Sequence, residues 1–538
     1  ERLIRSAAAG PGNVVVLLGA LTGRDGIGGA SVLASAELGE GDEAKRPSVQ
    51  IGDPFTEKKL MECCLELLDA GLLVSLQDLG AAGLTSAVSE MASKGSVGLD
   101  IDVCRVPLRE PGMEPFEIMI SESQERMLCV VAPERVGAVM QVCERWEVPA
   151  TPIGSVTADE RVRILSAGAL VADLPVHVLV DDCPLYDLDP IQPAVEIYPA
   201  PAPVLSGQES PGETLLALLG SPNLASRRAV FEQYDPIVQS RTVRRPEEAD
   251  AAVLVLSEDR AIAVSIDGNG RRVACDPRAG AAEAVFECAA NLACVGAEPL
   301  GLTNCLNFGN PEKPHVAWQL TQAVEGLAEA CRGLDVPVVG GNVSLYNEAP
   351  AGPILPTPVV GMVGGLPDPA FAGGLAFAQP GDAVALVGAF EPMREGSEVA
   401  KLAGSPIRGP LPTVDLAAIA AAHAWVREGV RTGALRSAHD IAEGGVAVAL
   451  AECAMPLGIG AQVELPQGLD LFAEAPGRAF IVSGPREALE LVGGEGEARP
   501  PVKVIGTVGG DALRIAGQLD LAVSELTGAW QTGLSKFV

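Results

Sequence analysis

Two long stretches of this chain repeat each other. The run VVVLLGALTGRDGIGGASVLAS (14–35) resembles AVALVGAFEPMREGSEVAKLAG (383–404), a strand pattern followed by a glycine-bearing loop. Next, LLDAGLLVSLQDLGAAGLTSAVSEMASKGSVGLDIDV resembles GVRTGALRSAHDIAEGGVAVALAECAMPLGIGAQVEL, which sets Asp78 against Asp440 and Glu90 against Glu452. ISESQERMLCV pairs with FAEAPGRAFIV, and VPATPIGSVTADERVRI with PVKVIGTVGGDALRI. Self-similarity on this scale decides the fold before any residue-level reading. It predicts two copies of one domain, over 13–188 and 371–538.

Between the copies, DPIQPAVEIYPAPAPVL is too rich in proline for a helix or a central strand, so 189–205 reads as a linker. Residues 206–370 have a different pattern. Strands such as AAVLVLSE, RAIAVSID and VPVVGG alternate with helical runs such as GAAEAVFECAANLACVGA, an α/β arrangement that we expect to be parallel. Naming the middle domain A and the repeated one B, the order is B-A-B. The chain begins with Glu1 and not Met, so residues 1–12 are expected to be the end of a preceding A domain.

Charge narrows the function. A formal net charge of −32 argues against a general basic surface for nucleic acid or an anionic membrane, so an anionic substrate would need local devices: glycine loops, helix N-termini or a divalent metal. The twelve cysteines form no C-x-x-C pair and mostly sit in apolar contexts, as free thiols do in a reducing cytoplasm. No uncharged apolar stretch is long enough to span a bilayer. His177, His315, His423 and His439 lack the spacing of a metal site, and each reads as structural.

Candidate site residues fall in three places. In SESQERM (121–127), polar residues interrupt the apolar runs FEIMI and LCVV, where plain strand is expected. A solvated bulge is the bland explanation. The second copy, however, replaces Glu122-Ser123-Gln124 with Glu474-Ala475-Pro476, while Arg126 and Arg478 both persist. A fold requirement should fall on both copies alike, so the difference suits a site that only one copy forms. Asp78 stands at the end of a strand before the glycine-rich helix entrance GAAG, either as an N-cap or as a metal carboxylate. In the middle domain, VVGGNVSLYNE places Gly340 and Gly341 after a strand, followed by Asn342 and Ser344. Asn304, Asn307 and Asp267 stand near other strand ends, in the pattern of a ligand crevice.

Together LTGRDGIGGAS, VQIGDPF, QDLGAAGL, SESQERM, LNFGNPEKP and GGNVSLYNE resemble the phosphoribosylformylglycinamidine synthase family, related to aminoimidazole ribonucleotide synthetase and selenophosphate synthetase. The resemblance implies tandem A and B domains and an ATP-dependent ligase of purine biosynthesis, which phosphorylates an amide oxygen and displaces the phosphate with ammonia. It implies formylglycinamide ribonucleotide as substrate, held by Gln50, Glu122, Ser123, Gln124 and Ser344. It further implies ATP at Asn304 and Gly341, and magnesium on Asp78 and Asn342. The resemblance implies Asp at the position of Asn304, and Asn contributes no charge. The family's catalytic histidine, ATP lysine and a metal-binding glutamate belong to the first A domain, whose segment is absent here, so activity of this chain alone is not expected. The likeness is to the short subunit type, which receives ammonia from a separate glutaminase subunit through a small bridging subunit. The rivals are another enzyme of the wider family, against which the fused B-A-B order counts, and a non-catalytic nucleotide-binding scaffold.

Overall fold

The computed structural model describes residues 3–27, 51–349, 352–466, 468–492 and 499–535, and divides into two compact units, Glu1–Asp187 and Leu188–Val538.

In the first unit, seven strands form one sheet: β1 (Val14–Gly19), β2 (Ser75–Asp78), β3 (Gly98–Asp102), β4 (Arg126–Val131), β5 (Ala150–Thr157), β6 (Arg161–Ser166) and β7 (Ala169–Pro175), in the order β2-β4-β1-β5-β3-β6-β7. The central strand β1 is apolar throughout because both its faces are covered. Val15 and Leu17 point into a core with helix Gly83–Gly95. Val16 and Leu18 point the other way, onto helices Pro54–Asp69 and Val136–Arg145.

The second unit holds the A-type and second B-type domains. A six-stranded sheet is built from β8 (Thr242–Arg244), β9 (Ala252–Ser257), β10 (Arg260–Asp267), β11 (Glu298–Asn307), β12 (Val338–Ser344) and β15 (Thr357–Leu366), with the two-residue strands β13 (Glu348–Ala349) and β14 (Gly352–Pro353) paired apart from it. The expected parallel sheet is not what forms. Only β11 and β12 run parallel, and every other pairing is antiparallel. The reason lies in the connections: β9 reaches β10 through Glu258 and Asp259 alone, too short for a crossover. Helices Pro277–Cys294 and Pro314–Gly333 cover one face, while Ile266 and Val339 lie exposed, the one-sided burial that antiparallel sheets tolerate.

The last seven strands are β16 (Ala383–Gly388), β17 (Ser437–Asp440), β18 (Ala461–Val463), β19 (Ala479–Gly484), β20 (Val502–Val508), β21 (Ala512–Ile515) and β22 (Leu519–Ala522), ordered β17-β19-β16-β20-β18-β21-β22. This is the strand order of the first sheet, position by position. The single parallel pair recurs as well, β3–β6 and β18–β21. So does the irregularity in the central strand, between Val15 and Val16 and between Val384 and Ala385. The fold is therefore mixed α/β in the order B-A-B. Among the described residues no helix is long and apolar enough to cross a membrane. The cysteines are free thiols, most of them buried.

Candidate functional site

The polar break of the first unit is not inserted in a strand. FEIMI belongs to the short helix Pro115–Ile120, started by Pro115 and a capping box between Glu114 and Glu117, and β4 begins only at Arg126. Residues 121–125 are thus a helix-to-strand loop, and most of it is buried. Ser121, Glu122 and Ser123 are at most 2% exposed, whereas Gln124 and Glu125 are half-buried.

This loop is tied to the loop after β1. Ser121 Oγ donates to Gly23 O at 2.6 Å, and Gly23 N donates to Ser123 Oγ at 2.9 Å. Glu122 N donates to Asp25 O at 2.8 Å, and Ser123 Oγ bonds the Asp25 carboxylate. Asp25 is also gripped by Arg109 at 2.7 Å, and although burial opposes it, bonds from Arg109 and Ser123 hold its carboxyl below the usual range. Arg126 spends its donors on Ser123 O (2.7 Å), Thr22 Oγ1 (2.9 Å) and Ser121 O (2.6 Å). Its burial pulls the guanidinium down to about 10.

Glu122 has a role that its sequence neighbours do not reveal. Its carboxylate accepts Ala82 N at 3.0 Å, at the start of helix Gly83–Gly95, where no side chain of the helix's own N-cap does so. In the second unit Glu474 accepts Gly444 N at 3.0 Å, at the start of helix Gly445–Ala454. A carboxyl oxygen that accepts one of a helix's unpaired N-terminal N–H groups is stabilising, and both copies keep one. Asp78 is consequently not the N-cap. It ends β2 with an exposed carboxylate, touched by Gln77 Nε2 at 3.1 Å.

The match of Arg126 with Arg478 is corrected by strand register. Arg126 pairs with Gly19, but in the second copy Gly388 pairs with Ala479. Between Glu474 and its strand the second copy has one residue more than the first copy has after Glu122. Arg478 stands just before β19 and bonds Glu283 of helix Pro277–Cys294. Arg272 joins the same carboxylate through Nε (2.5 Å) and Nη2 (2.9 Å), and its Nη1 lies 3.6 Å from Glu474.

The middle-domain candidates come together. In the parallel register of β11 with β12, Asn304 faces Gly341, Cys305 faces Asn342, and Asn307 faces Ser344. β12 is the sheet edge, and Gly341 and Asn342 are exposed on it. A Cβ on Gly341 would stand 2.8 Å from both Asn304 O and Asn304 Oδ1, so glycine is needed for the two strands to lie this close. Ser344 Oγ accepts from Asn347 Nδ2 at 3.1 Å, whereas Asn307 bonds Cys305 O and Thr357 O within the sheet. Asp267 ends β10, and Asn269 is the residue that caps the following helix. Gln50 lies outside the described residues.

One cluster escaped the sequence reading. His439 bonds Asp250 through Nδ1 at 2.8 Å and Glu452 through Nε2 at 3.0 Å, and Asp440 lies beside it, 3% exposed. Ligand atoms of Asp250, His439 and Asp440 converge within 4.8 Å, a group able to hold a cation. Asp440 is pushed up to about 7 by burial and the Asp250 charge. Asp250 and His439 are 189 positions apart, so no local spacing could announce them. His423, by contrast, is a core residue bonded to Gly477 O at 2.8 Å, as expected.

Comparison with known proteins identifies the family. Residues 10–166 and 379–516 match the AIR synthase related protein C-terminal domain, and residues 248–365 match the corresponding N-terminal domain. The phosphoribosylformylglycinamidine synthase subunit PurL of Moorella thermoacetica is 46% identical over 545 residues, 99% of this chain and 74% of the relative. The Thermotoga maritima PurL complexed with FGAR superposes with a TM-score of 0.69 at 30% identity, over 95% of this chain and 73% of that one. The same protein complexed with ATP gives 0.65 at 29%, over 95% and 72%. The T. maritima PurLQS structure gives 0.67 at 30%, over 95% and 73%. With both B-type domains and the A-type domain matched in order, this chain belongs to the PurL family of phosphoribosylformylglycinamidine synthase subunits.

Proposed function

We propose that the exposed β11–β12 edge binds ATP, and that the first unit's loop 121–125 binds formylglycinamide ribonucleotide, for an ATP-dependent ligase reaction of purine biosynthesis. The substrate amide oxygen attacks the γ-phosphorus of ATP and ADP departs. Ammonia then adds to the activated carbon, the C–O bond breaks, phosphate leaves, and loss of a proton gives the amidine. The observation that carries the ATP reading is the register of Asn304 with Gly341, beside Asn342 and Ser344, on one exposed parallel edge. Gly341 lets backbone approach a phosphate, Asn304 hydrogen-bonds the nucleotide, and Ser344 contacts the substrate.

Magnesium fits the oxygen donors at two of these positions. Asp78 presents an exposed carboxylate at a strand end and Asn342 an exposed amide on β12, both hard ligands of the kind that ion takes. When bound, it neutralises phosphate charge. Gln124, half-buried at the loop surface, meets the ribonucleotide directly, while buried Ser123 holds Asp25 and the loop backbone in place. Gln50 completes the substrate contacts. The T. maritima PurLQS structure suggests partner subunits; in this reading they are a separate glutaminase that supplies ammonia and a small bridging subunit, and the setting is the cytoplasm. The domain limits 13–188, 206–370 and 371–538, with 189–205 as linker, belong to the same proposal.

Calorimetric titration of magnesium-ATP tests the nucleotide half. Gly341→Ala places a methyl against Asn304, and we expect affinity to fall by at least about tenfold, equivalent to ~1.4 kcal/mol. An unchanged dissociation constant would remove β12 from the ATP site.

A further inference from the structure

Strand register sets Glu125 of the first copy against Arg478 of the second. Each stands immediately before its strand, β4 or β19. Each also turns its carbonyl to the glycine that ends the central strand, so that a Cβ on Gly19 would strike Glu125 O and one on Gly388 would strike Arg478 O. At one place in the shared frame the two copies therefore carry opposite charges. Arg478 reaches Glu283. Glu125 stays within its own domain, where its carboxylate accepts Asp53 N at 2.8 Å.

That bond completes a helix start. Asp53 is the N-cap of helix Pro54–Asp69, and its carboxylate accepts Phe55 N and Thr56 N. In a capping box the third helical residue is Glu or Gln, whose side chain returns to the N–H of the cap. Here the third residue is Thr56, whose hydroxyl donates to Asp53 Oδ2 at 2.8 Å, and Glu125 supplies the acceptor for Asp53 N from 72 positions away. The backbone of Glu125 is unusual as well. Its φ of +55° lies in the left-handed region that residues other than glycine rarely adopt. The second copy gives its positive φ to Gly477, at +65°, one residue before Arg478. A residue strained in this way persists where its surroundings hold it, and such residues gather at ligand sites. Glu125 is held twice, by Asp53 N on its carboxylate and by Ala20 N, which donates to its carbonyl at 2.9 Å. The φ bond of Glu125 joins Gln124 to β4, so this conformation decides where Gln124 stands.

We propose that Glu125 is a positioning residue of the ribonucleotide site: by holding Asp53 N, its carboxylate keeps the end of the loop in the left-handed conformation that presents Gln124 to the substrate. The role rests on the reading of 121–125 as the substrate loop. It explains why the first copy keeps a strained carboxylate where the second has an arginine preceded by glycine.

The test titrates formylglycinamide ribonucleotide calorimetrically into the whole chain carrying Glu125→Ala, Glu125→Gly, Glu125→Gln, Gln124→Ala, or Gln124→Ala with Glu125→Ala. Alanine removes the acceptor, and glycine removes it while taking positive φ without strain. Both should weaken binding at least about fivefold. Glutamine keeps an oxygen for Asp53 N and should hold affinity within about twofold of the parent. The double variant should bind no more weakly than Gln124→Ala alone, because Glu125 acts through that side chain. Parental affinity in the alanine and glycine variants, even with a lowered melting temperature, would overturn the proposal by making Glu125 a helix cap only, provided that Gln124→Ala weakens binding. Parental affinity in Gln124→Ala too would overturn the reading of the loop, and the positioning role with it. Additive losses in the double variant would overturn the proposal by making Glu125 an independent contact. An equal loss in Glu125→Gln would do so by assigning the effect to charge and not to the bond.

Discussion

The two B-type domains share a frame and differ in what is attached to it. Strand order, the central irregularity and the carboxylate at the helix start recur, with Glu122 on Ala82 N and Glu474 on Gly444 N. These are the fold's requirements. Around them the side chains diverge. In the first copy Arg126 folds back onto Ser121, Thr22 and Ser123, and Asp78 stays exposed. In the second, Arg478 reaches across to Glu283 of the A-type domain, and Asp440 is buried beside Asp250 and His439. The lesson is that a repeated residue is evidence about the frame, and a site has to be sought where the copies part. One copy ties most of its polar loop to its own β1 loop and leaves Gln124 half-buried and Asp78 exposed, while the other uses its polar groups to join two domains.

The largest effect should come from breaking the second copy's connection. Glu283→Ala leaves Arg272 and Arg478 buried without their shared carboxylate, and loss of a partner from a buried pair costs about 3–5 kcal/mol. Asp25→Ala, in the loop that anchors the first copy's Ser123, should cost less, because its partner Arg109 is half exposed and can turn to water. Urea unfolding of both variants measures the difference, and equal losses would erase the contrast.

The frame predicts the reverse result at its glycines. Gly19 (φ +106°) and Gly388 (φ +93°) each stand where a Cβ would strike a backbone carbonyl, Glu125 O at 2.0 Å and Arg478 O at 2.3 Å. Alanine at either position should cost about 1–3 kcal/mol, and by similar amounts in the two copies. Thermal melts check this, and a large inequality would show that the two frames are not equivalent.

A smaller difference should appear with pH. The folded carboxyl of Asp440 is raised from 3.8 to about 7, so the folded state holds an additional proton between those values. That contribution to stability is complete below the unfolded value and is lost as pH rises through about 7. His439, raised by Asp250 and Glu452 against the opposing effect of burial, acts in the same direction. Melting temperature should therefore fall from pH 5 to pH 8, and Asp440→Asn should flatten the slope. A parent slope of the opposite sign would contradict the burial of Asp440 as an acid.

Much of this was legible before any coordinates. The repeat predicted two like domains, and the strand runs around Val14–Gly19 and Ala383–Gly388 stood out because both faces are buried. What was missed has physical causes. FEIMI is too short for its period to separate helix from strand, and the signal that decides it is Pro115 with the Glu114–Glu117 box. Arg126 and Arg478 look equivalent in sequence, but a one-residue slip in register separates them, and pairing is invisible to alignment. The parallel sheet was expected from alternating patterns, but the two-residue connection between β9 and β10 forces a hairpin. Burial of Glu122 and Ser123 could not be read either, because it depends on the loop after β1, about a hundred residues away.

The central claim, that the first copy's polar loop is a substrate site and the second's is not, is tested most directly by titrating formylglycinamide ribonucleotide calorimetrically into the chain. Parent, Ser123→Ala with Gln124→Ala, and Ala475→Ser with Pro476→Gln should be compared at matched thermal stability. A polar contact left unsatisfied is worth roughly 1–3 kcal/mol, so the first pair should weaken binding at least about tenfold. The second pair should leave the affinity as it is in the parent. Equal affinity in all three would return 121–127 to a loop that serves only the fold.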